Sequence, residues 1–126
     1  MTIDPQAELL LRKSVDDRVS LNFPLPSAIF GFHTSQAVEK LLKALIAAKG
    51  EVFPFTHKLS TLEDQLRNLG ESVPPLPCGF TELQPHAVLT RYDEAAELDN
   101  ADRKRFIETV DVLRAWVEER IGALGV

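Results

Sequence analysis

The sequence predicts an all-α protein, an up-and-down bundle of four or five helices. Most of the chain repeats its apolar residues with the period of an α-helix, and prolines and glycines separate these periodic segments. The one segment with strand character, residues 50–55, is short and contains a proline, so it indicates a connector. An antiparallel helical bundle is therefore the economical fold, and residues 1–126 are expected to form one domain.

The first two helices have clear boundary signals. Residues 4–19 form the first, because Asp4 is a suitable N-cap and Pro5 suits the first helical position. Residues 27–49 form the second, and Gly50 ends it. The second helix is amphipathic, with the apolar residues Val38, Leu41, Leu42, Leu45 and Ile46 on one face and the polar residues His33, Gln36, Lys40 and Lys43 nearly opposite.

The third helix has two possible starts. It begins at Thr56 or at Ser60, where residues 60–63 have the form of a capping box. Gly70 ends it in either case. Its apolar stripe consists of Leu59, Leu62, Leu66 and Leu69.

Two more helices are predicted after the proline-rich segment 74–77. The fourth covers residues 85–98, and the last covers residues 100–124 with Asn100 as its N-cap. The stripe of the last helix consists of Phe106, Val110, Leu113, Val117 and Ile121. We expect the apolar face of the second helix to be buried against the stripes of the third and the last.

Composition and charge exclude several classes of protein. With 44% hydrophobic and 26% charged residues, the chain is typical of a globular protein and not of a disordered one. Its 14 basic and 19 acidic residues give a net charge of −5, which argues against a broad basic surface for duplex DNA. No signal-peptide pattern and no membrane-spanning apolar run is visible. The single cysteine, Cys78, cannot form an internal disulfide, so we expect a cytoplasmic protein.

No standard catalytic or cofactor motif is present in the sequence. The histidines His33, His57 and His86 are too dispersed to indicate a metal site, so we expect neither a metal nor a cofactor. The polar face of the second helix has two interpretations. It is either a solvated surface, on which Glu39 and Lys43 form a helical ion pair, or a site where lysine and histidine N–H groups meet phosphate oxygens.

Three motifs, taken in order, add to this pattern. Residues 32–45 read Phe-His-Thr-Ser-Gln-Ala-Val-Glu-Lys-Leu-Leu-Lys-Ala-Leu, residues 56–59 read Thr-His-Lys-Leu, and residues 91–92 are Arg-Tyr. They resemble the HEPN family (higher eukaryotes and prokaryotes nucleotide-binding). The central helix of that family follows the approximate pattern Phe-His-x-x-Gln-Ala-x-Glu-Lys-x-Leu-Lys-Ala, and Thr-His-x-Leu and Arg-Tyr follow it.

The resemblance implies a helical bundle that commonly dimerises. Such domains are often encoded beside, or fused to, a minimal nucleotidyltransferase, and many belong to toxin–antitoxin or defence systems. Some members are metal-independent ribonucleases with an Arg-x(4–6)-His motif. In this sequence no arginine has a histidine at that spacing, and His86 precedes Arg91, which reverses the order. The chain also departs from the family pattern at Pro24 and Pro26. These departures favour binding over ribonuclease activity.

Three functions are compatible with the sequence. The favoured one is a module that binds a nucleotide or RNA phosphate and a protein partner, with the candidate ligand residues His33, Gln36, Lys40, Lys43, His57, Arg91 and Tyr92. The second is an RNA-cleaving toxin that pairs Arg91 with His33 or His57. The third is a helical dimerisation module.

Two further expectations concern the surface. We expect a homodimer, whose candidate edge residues are Phe30, Phe32 and Trp116. We also expect Lys40→Ala to weaken ligand binding without disturbing the fold, because Lys40 is not on the apolar face.

Overall fold

The structure, a computed structural model, describes residues 3–88 and 97–125. Its helices are α1 (Pro5–Ser20), α2 (Ser27–Ala48), α3 (Leu59–Asn68), α4 (Phe80–Leu83) and α5 (Asn100–Leu124), and a 3₁₀ turn, Gln84–His86, follows α4. These two stretches contain no strand, so the predicted all-α bundle is confirmed. Over the same residues, no helix combines the length and apolar character that a membrane span requires.

The first helix begins as the sequence predicts. Asp4 is its N-cap and accepts hydrogen bonds from the backbone N–H groups of Gln6 and Ala7, at 2.9 and 3.1 Å. α1 packs along α2. The buried positions of α1 include the small residues Ala7 and Ser14, and α2 likewise buries small residues, Ala37, Ala44 and Ala47. Small side chains allow two helices to lie close together along their length.

The central helix α2 lies between α1 and α5. Arg103, near the start of α5, donates to the carbonyl of Leu25 at 2.7 Å, just before α2 begins. Arg120, near the end of α5, shares the carboxylate of Glu71 with Lys49, just after α2 ends. The two helices therefore run in the same sense. The up-and-down arrangement predicted from the sequence therefore holds for α1 and α2 only. Before α3 and before α5, non-helical segments carry the chain back along the bundle.

The predicted core is confirmed. Val38, Leu41, Leu42 and Leu45 are completely buried and belong to one apolar cluster with the stripes of α3 and α5, which contribute Leu59, Leu62, Leu66, Phe106, Val110, Leu113 and Val117. Gly50 and Gly70 follow the ends of α2 and α3 with φ of 79° and 86°, the left-handed conformation that stops a helix at little cost for glycine.

Phe30 is wrong as a candidate dimer-edge residue. Its side chain is only 2% exposed, its ring lies 6.4 Å from that of Phe106, and the guanidinium of Arg103 lies 4.8 Å above it. The same guanidinium donates to the backbone carbonyls of Leu98 and Leu25. Phe30 is therefore part of the core, whereas Phe32 and Trp116 are partly exposed.

The predicted capping box at residues 60–63 is also wrong. α3 begins at Leu59, and its N-cap, Lys58, makes no side-chain cap. Instead, the side chain of Gln84 accepts the N–H of Leu59 at 2.8 Å and donates to the carbonyl of His57 at 3.1 Å. A residue distant in sequence therefore satisfies the free backbone groups that a local cap would otherwise bind.

At α5 the N-cap is Asp99, one residue before the predicted Asn100. Asp99 and Asp102 form a reciprocal capping box, in which each carboxylate accepts the backbone N–H of the other, at 2.8 and 3.2 Å. The body of the helix matches the prediction.

The predicted helix 85–98 is wrong where the structure describes it. Helical structure begins earlier, at α4, and ends with the 3₁₀ turn at His86, and residues 97–99 are not helical. The N–H of Leu98 donates to the hydroxyl of Ser27 at 2.9 Å, and its carbonyl accepts from Arg103. These tertiary bonds take the place of helical ones. Residues 89–96 lie outside the described part of the chain.

Candidate functional site

The first polar cluster connects α1 to α2 through a buried carboxylate. The Oδ1 atom of Asp17 lies 2.8 Å from Nδ1 of His33, and its Oδ2 atom accepts from the ammonium of Lys40. Asp17 is only 7% exposed, whereas the side chains of His33 and Lys40 are 29% and 23% exposed. We call these three residues the Asp17 cluster. His33 and Lys40 are two helical turns apart, so one carboxylate on the neighbouring helix meets both.

The second cluster connects α2 to the segment before α3. Oε1 of Glu39 lies 2.9 Å from Nδ1 of His57, and Oε2 accepts from Lys43 at 3.0 Å. The expected ion pair of Glu39 and Lys43 is therefore present. We call these three residues the Glu39 cluster. Glu39 is 5% exposed, but the side chain of His57 is 57% exposed. Lys43, 11% exposed, also lies over the ring of Phe53, with Nζ 5.2 Å from its centroid.

The electrostatics of this edge differ from those of a free cationic stripe. Two ammonium groups balance two carboxylates, so the two clusters are neutral together while their histidines are neutral. An ionised carboxylate accepts hydrogen bonds only, so each Nδ1 carries a proton. Each Nε2 is then an acceptor in the neutral ring and becomes a donor when the imidazole is protonated. Protonation gives the edge a positive charge.

The structure thus brings four of the predicted ligand residues together in pairs: His33 with Lys40, and Lys43 with His57. Gln36 is half-buried on the same edge of α2. Arg91 and Tyr92, the other two candidates, lie outside the described residues.

Asp17 is the functional candidate that the sequence reasoning missed. It lies in the charged stretch 12–18, where a polar residue is easily assigned to the surface. The signal was its register: Ala7, Ser14, Asp17 and Leu21 follow one another at helical spacing, and all four are buried. A carboxylate in a buried stripe requires a partner, and α2 provides two.

A third ionic cluster lies at the C-terminal end of α2 and joins helices to one another. Glu71, 4% exposed, accepts from Lys49 at 2.7 Å and from Arg120 at 2.7 and 3.1 Å. The hydrogen bond from Arg120 lowers the pKa of Glu71 below its ordinary value of 4.5, against the opposing effect of burial, and Lys49 lowers it further. The carboxylate holds α5, the end of α2 and the end of α3 together.

Cys78 is completely buried, and its surroundings suit a structural role. Its backbone N–H donates to the hydroxyl of Thr109 at 2.9 Å. Burial raises the pKa of the thiol above its ordinary value, and a protonated thiol is a weak nucleophile.

His86 is the one histidine in the described residues without a bonded carboxylate. Its ring packs against the backbone of Gly31, where an added Cβ would come within 2.2 Å of Nδ1. It also packs edge-on against Phe106 at 5.4 Å. Burial lowers its pKa below the ordinary value of 6.5, partly opposed by Glu82. Residues 3–88 and 97–125 contain no group of three or more side chains placed to hold a metal ion.

Comparison with known proteins places this arrangement in a family. Residues 26–120 match the family model described as HEPN domain, which is three quarters of the chain. The matched region contains α2, α3 and most of α5, and includes every candidate ligand residue. No curated protein and no solved structure gave a match to the chain.

Proposed function

The chain belongs to the HEPN family, and we propose that it is a binding module for the phosphate groups of a nucleotide or of RNA. The ligand residues are those of the two clusters on α2, namely His33, Lys40, Lys43 and His57, together with Gln36, Arg91 and Tyr92. The observation that carries the proposal is the pairing of each buried carboxylate with one imidazole and one ammonium group along a single helix edge.

This arrangement fixes the direction of the imidazoles. Because Nδ1 of His33 and of His57 is held by a carboxylate, the outer edge of each ring presents Nε2. A phosphate oxygen accepts a hydrogen bond, so it requires the protonated ring. An acidic chain with a net charge of −5 is compatible with such a site.

Membership of the HEPN family supports a proposal for the protein partner. HEPN domains often accompany a minimal nucleotidyltransferase, and we propose that this chain is the non-catalytic member of such a pair, of the toxin–antitoxin or defence type, and that it acts as a homodimer. The missing Arg-x(4–6)-His motif supports the non-catalytic assignment. Co-expression with a neighbouring nucleotidyltransferase gene, followed by co-purification, tests this part separately.

Titration of the full chain with inorganic tripolyphosphate tests the phosphate site. We expect binding that Lys43→Met weakens, because the substitution removes the ammonium group of the Glu39 cluster. Lys104→Met, a variant of an exposed lysine on α5, is the matched control for Lys43→Met. Absence of binding, or equal effects of both substitutions, contradicts the proposal.

One observation favours RNA cleavage as the second candidate. A carboxylate bonded to Nδ1 of a histidine orients the ring and leaves Nε2 free to take a proton, as a general base requires. In this alternative, His33 or His57 would work with Arg91. Metal-free turnover of a labelled RNA that is abolished by His33→Ala or by His57→Ala would replace the binding proposal with this one.

A further inference from the structure

The segment between α2 and α3 carries an aromatic ring that the fold does not use. Phe55 is completely exposed, while Phe53, two residues earlier, is partly buried against the core and lies beneath Lys43. The two rings therefore have different roles. Phe53 supports the Glu39 cluster from within, and Phe55 stands in solvent beside it.

The exposure of Phe55 is not the result of a loosely attached segment. At the start of the segment, the side chain of Gln65 donates to the carbonyl of Val52 at 2.9 Å. At its end, Gln84 holds the backbone on both sides of Lys58, whose own N–H donates to the hydroxyl of Thr56 at 3.1 Å. The segment is fastened before and after Phe55, so the ring is presented from an anchored backbone.

The cationic groups of the candidate phosphate site lie next to this ring. Phe55 precedes His57 by two residues, so their Cα atoms are within about 7 Å of each other. His57 is itself held on Glu39, beside Lys43, and the exposed residue Lys58 follows it. A flat apolar surface and N–H donors for phosphate thus lie within two residues of each other on one segment.

We propose that Phe55 is a stacking platform for the nucleobase of the ligand whose phosphate lies at the Glu39 cluster. The proposal rests on the proposed function, since it assigns the base of the same ligand. A base attached to a phosphate fits both parts of the surface, because aromatic rings stack on any base and cations take the backbone. The ligand class is a nucleotide or an unpaired nucleotide of single-stranded RNA.

A protein partner is the competing occupant of this surface. Val52 is also strongly exposed, at 89%, and two apolar side chains attract a protein surface as well as a base. A stable protein interface nevertheless needs roughly 800 Å² from each partner, whereas a base needs a single ring. An exposed ring close in sequence to an imidazole and to ammonium groups favours a nucleotide over a protein as the occupant. Binding of a protein is one of the outcomes that the experiment distinguishes.

The test compares two ligands with the same phosphate chain, adenosine triphosphate and inorganic tripolyphosphate, on the full chain. The wild type is expected to bind the nucleotide more tightly. Phe55→Ala is expected to weaken nucleotide binding roughly 5- to 100-fold, as for loss of one stacked base, and to leave tripolyphosphate binding unchanged. Phe23→Ala, at another exposed phenylalanine outside this segment, is the matched control and is expected to change neither.

A second variant reports stacking directly. Phe55→Trp keeps a flat ring, so nucleotide binding is retained and the new tryptophan fluorescence is quenched on binding, beyond any change at Trp116. A short single-stranded oligoribonucleotide, titrated in parallel, distinguishes the two sources of the base: tighter binding than the mononucleotide identifies RNA, and equal or weaker binding identifies the free nucleotide.

The outcomes separate the two proposals. If tripolyphosphate binds but the nucleotide binds no better, or if Phe55→Ala leaves nucleotide binding unchanged, the stacking platform is overturned and the phosphate site stands. If Phe55→Ala instead dissociates an oligomer or a co-purified protein without changing nucleotide binding, the ring belongs to a protein interface and the platform is again overturned. If the wild type binds neither ligand, the proposed function itself fails.

Discussion

The Asp17 cluster and the Glu39 cluster contain the same three kinds of group, and each has two residues on α2, but they differ in the segments they join and in how far their histidines are exposed. The acid of the Asp17 cluster comes from α1, so both of its bonds join two helices. The acid of the Glu39 cluster lies on α2 together with its lysine, and only His57 reaches it from another segment. The side chain of His33 is 29% exposed and that of His57 is 57% exposed.

The difference shows that composition does not decide the role of a polar cluster. In the Asp17 cluster, both bonds join α1 to α2, and the removal of a partner leaves a buried charge without one of its two partners. In the Glu39 cluster, the outer imidazole is accessible and lies beside an exposed ring. We therefore propose that the Asp17 cluster serves mainly the packing of α1 on α2, and that the Glu39 cluster serves mainly the proposed ligand.

The largest expected effect comes from the apolar face beneath both clusters, and it sets the scale for the others. Leu42 is completely buried in the core cluster. Leu42→Ala is expected to lower the free energy of unfolding by about 2–5 kcal/mol, because it removes buried surface and leaves a cavity. Denaturant unfolding measures the change. A variant as stable as the wild type would show that this face of α2 is not part of the core.

The next effect breaks the Asp17 cluster. The structure revises the expectation that Lys40→Ala leaves the fold intact, because Lys40 neutralises a carboxylate that is 7% exposed. Its removal is expected to cost about 1–3 kcal/mol of unfolding free energy. The double variant Asp17→Asn, Lys40→Ala removes the uncompensated charge and is expected to recover part of the loss. If the single variant is fully stable, Asp17 does not depend on Lys40.

A smaller effect concerns His86, which makes no hydrogen bond to a carboxylate of residues 3–88 and 97–125 and so serves as a reference for the other two histidines. Its pKa is lowered in the folded state, so on acidification the unfolded chain takes up the proton first. The stability that depends on His86 is present above about pH 6.5 and is lost as the pH falls below it. Thermal unfolding of His86→Gln at a series of pH values is expected to lose this component.

Glu71 gives a second loss in a lower pH range, which separates the two groups. Its pKa is also lowered, so its contribution is present above about pH 4.5 and is lost as the pH falls further. Both components therefore reduce stability on the acid side. If the free energy of unfolding instead increased as the pH was lowered from about 6.5 to about 5, the assignment of this loss to His86 would be contradicted.

The fold could be predicted from the sequence because the apolar period of α2, α3 and α5 is local information, and the core faces of all three helices are those it indicates. The errors occurred where a distant residue decides a local structure. Gln84 caps α3, and Ser27 and Arg103 hold Leu98 out of a helix. No pattern within a single segment contains these partners.

The candidate site shows the same limit. The helical period places His33, Lys40 and Lys43 on one edge of α2, which the structure retains. The i,i+4 spacing also indicates the ion pair of Glu39 with Lys43, but nothing in α2 reveals that Asp17 pairs with Lys40, because Asp17 lies on another helix. The exposure of Phe55 was equally hidden, since Phe53 and Phe55 flank one proline and look alike in sequence.

A matched pair of histidine variants tests the central comparison most directly. His33→Ala and His57→Ala are titrated with tripolyphosphate, and their unfolding free energies are measured in the same buffer. We expect His57→Ala to weaken binding about tenfold or more, as for loss of a charge-assisted hydrogen bond, while its stability changes by less than about 1 kcal/mol. His33→Ala is expected to lose more stability and less affinity. The reverse order, with His33→Ala weaker in binding and His57→Ala less stable, would contradict the account.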